Sequence, residues 1–442
     1  MKREAIFYTA KEVAERGKQG IPDELLSGKS LVYSSPATLA YNSPGAEGFG
    51  VKRAGLSVPE SVMLIVAPGC CGRNTSLISN MPGYKNRFFY LEMNEADLVT
   101  GRHLTKIPGA IKEVLEFLKG TASHKLPKVV MICITCVDAL LGTDMERVCR
   151  KAEDSLKDSE FEGTRVRPCY MYALTREGRR PPMVHVRQTI YSLLEPMEKD
   201  PRSVNIIGGF APLENTELLK YLRNAGIENI RQISTCDTYE EFLCMAKANF
   251  NIVINPEARA CAEDMHNRLS IPYIELTRVY GTDKIAAQYK ALANVVGTVF
   301  DDEEDKAEAD GAVARLKAEY PDLTFNIGEC VNGNPFELAL SLARMGFKVE
   351  EISAALAPEN YVFVKKLAEL SPSTKLYCNM EPTMLYYDIS NSKADITIGK
   401  DAGFYCPDIP NVSWNQDTEP LGYQGVRDLM NRVYDSLKEG RK

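Results

Sequence analysis

Short apolar runs alternate with amphipathic stretches along most of the chain after Ser61. Runs rich in β-branched residues predict buried strands, and apolar residues about every three to four positions predict helices that cover a sheet. The first strands predicted in this way are Val62–Ala67, Phe88–Met93, Val129–Ile132 and Arg165–Met171. The helices predicted between and after them are Lys106–Leu118, Val137–Glu153 and Val184–Met197. Such alternation is typical of a parallel α/β sheet.

The same alternation returns twice more, which predicts three similar α/β units in a row. The predicted segments are an N-terminal helix and irregular segment (1–60), a first α/β domain (61–200), a second (201–297), and a third with a C-terminal helix (298–442). Turn-forming Ser, Pro and Gly dominate residues 34–50. That stretch is either a linker or a loop packed over a site.

Composition narrows the class of protein. Of the 442 residues, 44% are hydrophobic and 26% are charged, as in ordinary globular proteins. The net charge of -7 argues against general nucleic-acid binding. No apolar run approaches the roughly 18 residues of a membrane span, and the N-terminus lacks the apolar core of a signal peptide. We therefore expect a cytoplasmic protein that binds neither membranes nor nucleic acid, in which most of the 12 cysteines stay reduced.

Two predicted strands lead into cysteines. SVMLIVA runs into Pro68-Gly69 and then Cys70 and Cys71, and the strand that ends at Ile132 runs into Cys133 and Cys136. Ligands gather at the carboxyl edge of parallel sheets, so the two turns together offer up to four sulfurs. Iron–sulfur clusters and zinc both accept thiolate ligands, and the spacing does not separate them. Buried structural cysteines are the alternative.

The remaining chemical signals are weaker. Cys169, at a predicted strand end, and Cys330, in the turn Gly328–Gly333, are secondary candidates for a site. That turn and Gly208-Gly209 match neither GxGxxG nor a P-loop, so we read both as ordinary strand-to-helix turns. The 4 histidines are scattered, which argues against a His-rich metal site.

Several motifs resemble those of the nitrogenase component 1 superfamily. PGCCG at 68–72 resembles the family's GPxGC turn, and CVDALLGTDMERV from Cys136 resembles CxxxxIGDDxxxV. NEADLVTGRHLTKIPGAIKEV from Asn94 resembles the segment ERDIVFGGxxKLxxAIxE. SVNIIGGF, SIPYIEL, KADITIG and LGYQGVRDLM match in order and place, so the resemblance covers nearly the whole chain.

This resemblance implies three Rossmann-like domains with parallel sheets. It implies a homodimer or a heterodimer with a homologous subunit, and an iron–sulfur cluster, 4Fe–4S or larger, held by cysteines near the dimer interface. Cys71 falls on the family's second cluster cysteine and Cys136 on its third. An ATP-dependent 4Fe–4S reductase is the implied electron donor, and the substrate site is expected between the three domains.

The chain departs from the family at the remaining ligand positions. No cysteine lies near Pro44 and Gly45, where the first cluster cysteine is expected, so Cys70, Cys133 or a partner chain would complete the set. The positions of the molybdenum–iron cofactor's cysteine and histidine fall near Ile254 and Leu421, and the turn 328–333 lacks the flanking arginine. We therefore expect no molybdenum–iron cofactor and no dinitrogen reduction.

The function expected on this basis is that of a nitrogenase-like oxidoreductase component that passes electrons to an unidentified small molecule. The alternatives are a scaffold for iron–sulfur cofactor assembly and a redox-sensing binding protein without turnover.

Overall fold

A computed structural model describes residues 4–26, 46–69, 79–80, 82–121, 126–134, 142–170 and 180–439 of the chain. In chain order, its strands are β1 (Tyr8–Thr9), β2 (Ser61–Ala67), β3 (Phe88–Glu92), β4 (Val129–Ile134), β5 (Arg165–Tyr170), β6 (Asp200–Ile207), β7 (Asn229–Arg231), β8 (Ala248–Val253), β9 (Tyr273–Glu275), β10 (Thr324–Gly328), β11 (Lys348–Ser353), β12 (Lys375–Tyr377), β13 (Ile396–Ile398) and β14 (Asn411–Val412).

The helices are α1 (Ala10–Arg16), α2 (Ala46–Gly55), α3 (Glu95–Thr100), α4 (Arg102–Lys119), α5 (Met145–Asp154), α6 (Pro182–Tyr191), α7 (Glu217–Asn224), α8 (Tyr239–Leu243), α9 (Arg259–Leu269), α10 (Thr282–Val296), α11 (Glu303–Glu319), α12 (Pro335–Arg344), α13 (Tyr361–Leu370), α14 (Lys400–Tyr405) and α15 (Tyr423–Glu439). Single-turn 3₁₀ helices connect several of these elements.

The first sheet is parallel and has the strand order β3-β2-β4-β5. Every residue of β2 is buried, because helices cover both faces of the sheet. Met63 and Ile65 face one core, which α2 and α6 complete, whereas Leu64 and Val66 face the other, which α4 and α5 complete. Burial on both faces explains why this strand reads as a continuous apolar run.

The second sheet, β7-β6-β8-β9, is also parallel. Its buried polar residues pair with one another: the Asn205 side-chain amide donates to Asn251 Oδ1 at 2.8 Å and to the Met245 carbonyl at 2.9 Å. One hydrophobic core extends from Met63 of the first sheet to Val253 of the second, so the two sheets pack into a single unit.

The third sheet has the order β1-β12-β11-β10-β13-β14, and only β1 runs antiparallel to its neighbour. The N-terminal segment is therefore an edge of this sheet, and the Ala10 amide extends the pairing by donating to the Thr374 carbonyl at 2.8 Å. The sequence predicted a helix in this segment but not β1, because a strand of two residues is too short to show an alternation of apolar and polar residues.

The contacts group the chain into two compact units, one of residues 1–43, 211–227 and 276–442 and the other of 44–210 and 228–275. The first contains the third sheet and the second contains the other two. The prediction of an α/β fold with parallel sheets is confirmed. The boundaries predicted at residues 60, 200 and 297 stay predictions.

Several local predictions differ from the structure. The described part of the predicted helix Val137–Glu153 is helical only from Met145, and the helix predicted to end at Met197 ends at Tyr191. Residues 46–50, read as part of a turn-rich stretch, begin α2, whose Val51 and Ala54 are buried in the core shared by the first two sheets. That burial outweighs the low helix propensity of its three glycines. The strand predicted to end at Ile132 continues to Ile134, because Cys133 and Ile134 pair with both β2 and β5.

Among the described residues, no helix has the length and apolar character needed to span a membrane.

Glycines in two settings give opposite predictions for stability. Gly311 lies within α11 with open space where a Cβ would stand, so Gly311→Ala should raise the free energy of unfolding by about 0.5–1 kcal/mol. A Cβ at Gly328 would lie 2.0 Å from Asp401 Oδ1, so Gly328→Ala should lower it by about 1–3 kcal/mol. Urea denaturation of both variants measures the two effects. Equal stability of the two variants would contradict the close approach at Gly328.

Candidate functional site

The carboxyl edge of the first sheet is where the sequence places the candidate thiols. Strands β2 and β4 are adjacent and parallel, with Ile65 opposite Cys133 and Val66 opposite Ile134. The chain therefore leaves both strands at the same edge of the sheet. Of the four predicted ligands, Cys70, Cys71 and Cys136 lie outside the described residues, and Cys133 is described.

The start of the first turn is held by the neighbouring strand β3. The Tyr90 hydroxyl donates a hydrogen bond to the Ala67 carbonyl at 2.9 Å and also contacts the Pro68 carbonyl oxygen. A Cβ at Gly69 would lie 2.9 Å from Glu92 Oε1, so this position favours a residue without a side chain. Residues of β3 thus fix the direction in which the chain leaves β2.

Cys133 is a buried residue of β4. Its side chain lies on the face of Met131 and Ile65, in the core shared by the first two sheets, and none of it is exposed. Burial raises the pKa of the Cys133 thiol to about 12, with a smaller opposing effect of the charge on Lys52. As a metal ligand this thiol would have to release its proton when the metal ion binds.

Cys169 lies beside Cys133 on the next strand, in register and in the same core. Burial raises the pKa of the Cys169 thiol well above its usual value, and the adjacent Cys133 adds to the effect. The Sγ of Cys169 occupies the space where a Cβ of Gly55 would stand, 2.8 Å away, which explains a glycine at the end of α2. The structure thus brings together one leading and one secondary candidate from the sequence.

The other described cysteines are dispersed. Cys149, Cys261, Cys378 and Cys406 are buried, and Cys236, Cys244 and Cys330 are partly exposed. Within the part of the chain that the structure describes, no group of three or more His, Cys, Asp and Glu side chains is arranged to hold a metal ion.

The turn that contains Cys330 is built around a carboxylate that sequence reasoning missed. Asp401 accepts hydrogen bonds from the backbone N–H groups of Glu329, at 2.7 Å, and of Cys330, at 3.0 Å. The Asn379 side-chain amide donates to the same carboxylate at 2.6 Å. These residues follow β10, β12 and β13, and only the pairing of those strands brings them together. The sequence signal that could have found this cluster was a polar residue shortly after each of the strands β10, β12 and β13.

The positions where the family carries cofactor ligands hold hydrocarbon side chains. Ile254 follows β8, and its amide donates to the Ile207 carbonyl at 3.0 Å. Leu421 is buried in the other unit, and its carbonyl accepts a hydrogen bond from the Thr216 hydroxyl at 3.0 Å. Neither side chain has an atom that can ligate a metal.

Comparison with known proteins places the chain in a family. The family model for nitrogenase component 1 type oxidoreductase matches residues 47–438. The nitrogenase iron-molybdenum cofactor biosynthesis protein NifE of Sinorhizobium fredii is 23% identical over 427 residues, with coverage of 90% of this chain and 82% of that protein. The protein of the same name from Rhodobacter capsulatus is 24% identical over 406 residues, with coverage of 85% and 80%.

Solved structures agree on the fold. Nitrogenase Cp1 at pH 6.5 superposes with a TM-score of 0.68 at 16% identity, and the match covers 95% of this chain and 96% of that chain. The same protein at pH 5 gives a TM-score of 0.59 at 17% identity, with coverage of 95% and 90%. The resemblance read from the sequence motifs is thereby confirmed. Since the family model spans most of its length, this chain belongs to the nitrogenase component 1 type oxidoreductase family.

Proposed function

We propose that this chain is the electron-accepting component of a nitrogenase-like reductase. In this proposal it binds an iron–sulfur cluster, 4Fe–4S or larger, near the interface with a second subunit, either identical or homologous. An ATP-dependent 4Fe–4S reductase supplies the electrons, which pass to a small-molecule substrate. The observation that carries the proposal is the parallel pairing of β2 with β4, because the chain leaves both strands at one edge of the sheet shortly before Cys70 and Cys71 in one case and Cys136 in the other.

The proposed ligands are Cys71 and Cys136, and Cys70 and Cys133 are the candidates for a further position. Thiolates on rigid strand ends suit an iron–sulfur cluster, which supplies one-electron chemistry when bound. The complete burial of Cys133 in the core supports Cys70 for that position. The buried strands β2 and β4 would hold the turns in place while charge is gained and lost.

The proposed substrate is not dinitrogen. Ile254 and Leu421 offer no donor atoms where the family's molybdenum–iron cofactor has its cysteine and histidine ligands, which supports the absence of that cofactor. A substrate that binds directly, without a second metal centre, is consistent with these hydrocarbon side chains.

A second candidate function is a scaffold for cofactor assembly. The relatives from Sinorhizobium fredii and Rhodobacter capsulatus are both named as iron-molybdenum cofactor biosynthesis proteins, and each match covers most of this chain. A scaffold would bind a cluster precursor through the same cysteines and release it to an acceptor protein. The two functions share the cluster and differ in what leaves the protein, electrons or iron.

Removal of the leading ligands tests the cluster. Purified without oxygen, the protein should be brown and contain about four or more irons per dimer, with matching sulfide. Cys71→Ala and Cys136→Ala should each remove most of that iron, because each removes a proposed thiolate ligand. Cys244→Ala is the matched control and should leave the iron content unchanged, since Cys244 follows α8 in the second-sheet region. Iron and sulfide analysis with electron paramagnetic resonance measures the outcome, and colourless protein loaded with zinc would refute the proposal.

A comparison of Cys70 with Cys133 tests the further position. Cys133→Val keeps an apolar side chain of similar size in the core, so we expect a stability change below about 1.5 kcal/mol and unchanged iron content. Cys70→Ala should lower the iron content instead. Circular dichroism confirms folding of both variants. Loss of iron from folded Cys133→Val, with retention in Cys70→Ala, would assign the position to Cys133.

Electron transfer separates the reductase from the scaffold. If this chain is the electron-accepting component, its cluster absorbance should bleach when it is mixed with ATP and an ATP-dependent 4Fe–4S reductase from the same organism. The control omits ATP. A scaffold should instead lose iron to an added acceptor protein with no dependence on ATP hydrolysis. Transfer of iron without bleaching would support the scaffold instead of the electron-accepting component. If neither bleaching nor iron transfer occurs, the redox-sensing alternative is favoured.

A further inference from the structure

The carboxyl edge of the third sheet carries two carboxyl groups linked by one amide. Glu329 follows β10 directly, Asp401 lies in α14 after β13, and Asn379 follows β12. The Asn379 Nδ2 atom is 2.6 Å from Asp401 Oδ2 and 3.5 Å from Glu329 Oε2. The same amide donates to the Ser353 carbonyl at the end of β11, at 2.8 Å. Four neighbouring parallel strands therefore converge on this carboxyl pair.

The Asp401 carboxyl lies among donors that stabilise its charged form. Its side chain has no exposed surface, and it accepts hydrogen bonds from the amides of Glu329, Cys330 and Asn379. Burial raises the pKa of the Asp401 carboxyl, and these donors oppose that effect by stabilising the charged form.

Two glycines make room for this carboxylate. A Cβ at Gly328 would lie 2.0 Å from Asp401 Oδ1, and one at Gly399 would lie 3.0 Å from the same atom. Gly399 also has a φ of 112°, a conformation that favours glycine. The sheet edge is thus shaped around Asp401, which leaves the carboxylate little freedom to move.

Glu329 differs from Asp401 in exposure and in the number of donors. Glu329 is a partly exposed residue, whereas Asp401 and Asn379 are completely buried. Burial and, to a smaller extent, the negative charge of Asp401 raise the pKa of the Glu329 carboxyl to about 7, against weaker opposing effects of the Ala355 amide and Asn379.

The other titratable groups at this edge do not offset the charge of Asp401. Cys330 and Cys378 carry thiols whose pKa burial raises to about 12, so both remain neutral near pH 7. Lys400 acts on Cys330, where its charge lowers the thiol pKa against the larger effect of burial. The Glu329 carboxyl, with a pKa of about 7, can change charge near neutral pH.

We propose that Glu329 is the proton donor at the carboxyl edge of the third sheet, with Asp401 and Asn379 as its positioning residues. This inference rests on the proposed function, because it assumes that a substrate reaches this edge and is reduced there. For each proton the substrate takes up with an electron from the reductase, the Glu329 O–H bond breaks and its carboxylate remains. Solvent returns the proton through the exposed side of Glu329. The substrate class is a small unsaturated molecule whose reduction consumes protons.

A titration of the whole protein by infrared spectroscopy tests the inference. Between about pH 5 and 8 the wild type should lose a carboxylic-acid carbonyl band with a midpoint near pH 7. Glu329→Gln should lack this band change, because its side chain does not ionise. The control Glu359→Gln alters an exposed carboxyl group in the same unit and should titrate like the wild type. An unchanged band in folded Glu329→Gln would overturn the proposal.

A second variant tests the role of Asp401. Asp401→Asn removes the negative charge while keeping the size of the side chain, so the Glu329 midpoint should shift to lower pH. If this variant does not fold, the pH dependence of the thermal stability of Glu329→Gln is measured instead. Because the folded state binds the extra proton, wild-type stability should fall as pH rises from about 4.5 to 7, and this fall should be smaller in Glu329→Gln. Identical pH dependence of the two proteins would contradict the proposal.

Iron analysis of the same samples keeps this inference separate from the proposed function. A normal titration in protein that binds no iron would refute the proposed cluster but would retain Glu329 as the titrating group. Normal iron content with no titration of Glu329 would refute only the proposal that Glu329 is the proton donor. Substrate turnover, once measured, should fall in Glu329→Gln with a changed pH profile, whereas a merely structural role would leave the profile unchanged.

Discussion

Complete burial of β2 is the constraint on which the arrangement of the first sheet depends. All seven of its residues are enclosed, and alternate side chains enter two different cores. A shift of one residue along β4 would exchange the side chains facing the two cores, so the register is strongly specified. The same register sets the edge at which the chain leaves both strands.

The core shared by the first two sheets extends this constraint. Cys133 and Cys169 are part of it, together with residues of α2 and α6. Their thiols are neutral because they are buried, which makes them ordinary packing groups unless a metal ion displaces their protons.

The third sheet uses the same kind of edge for a different chemistry. Backbone N–H groups and one side-chain amide hold Asp401 in the space beside Gly328, and the charge of Asp401 acts on the carboxyl group of Glu329. A fixed anion next to a partly exposed acid is a means of keeping a proton available near neutral pH. In the proposed function, sulfur ligands would handle electrons and this carboxyl pair would handle protons.

Periodicity in the sequence determined the parallel α/β class and the positions of most strands and helices, and the order of the motifs indicated the family by resemblance. Periodicity located β2 and β4 closely. These features depend on local patterns of apolar residues, which burial on one or both faces requires. Tertiary structure alone decided that Cys133 faces a core, that residues 46–55 form a helix, and that Tyr8–Thr9 pair with β12. It alone brought Glu329 to Asp401 across 72 positions of sequence, because such contacts follow from strand order and packing, which no local pattern records.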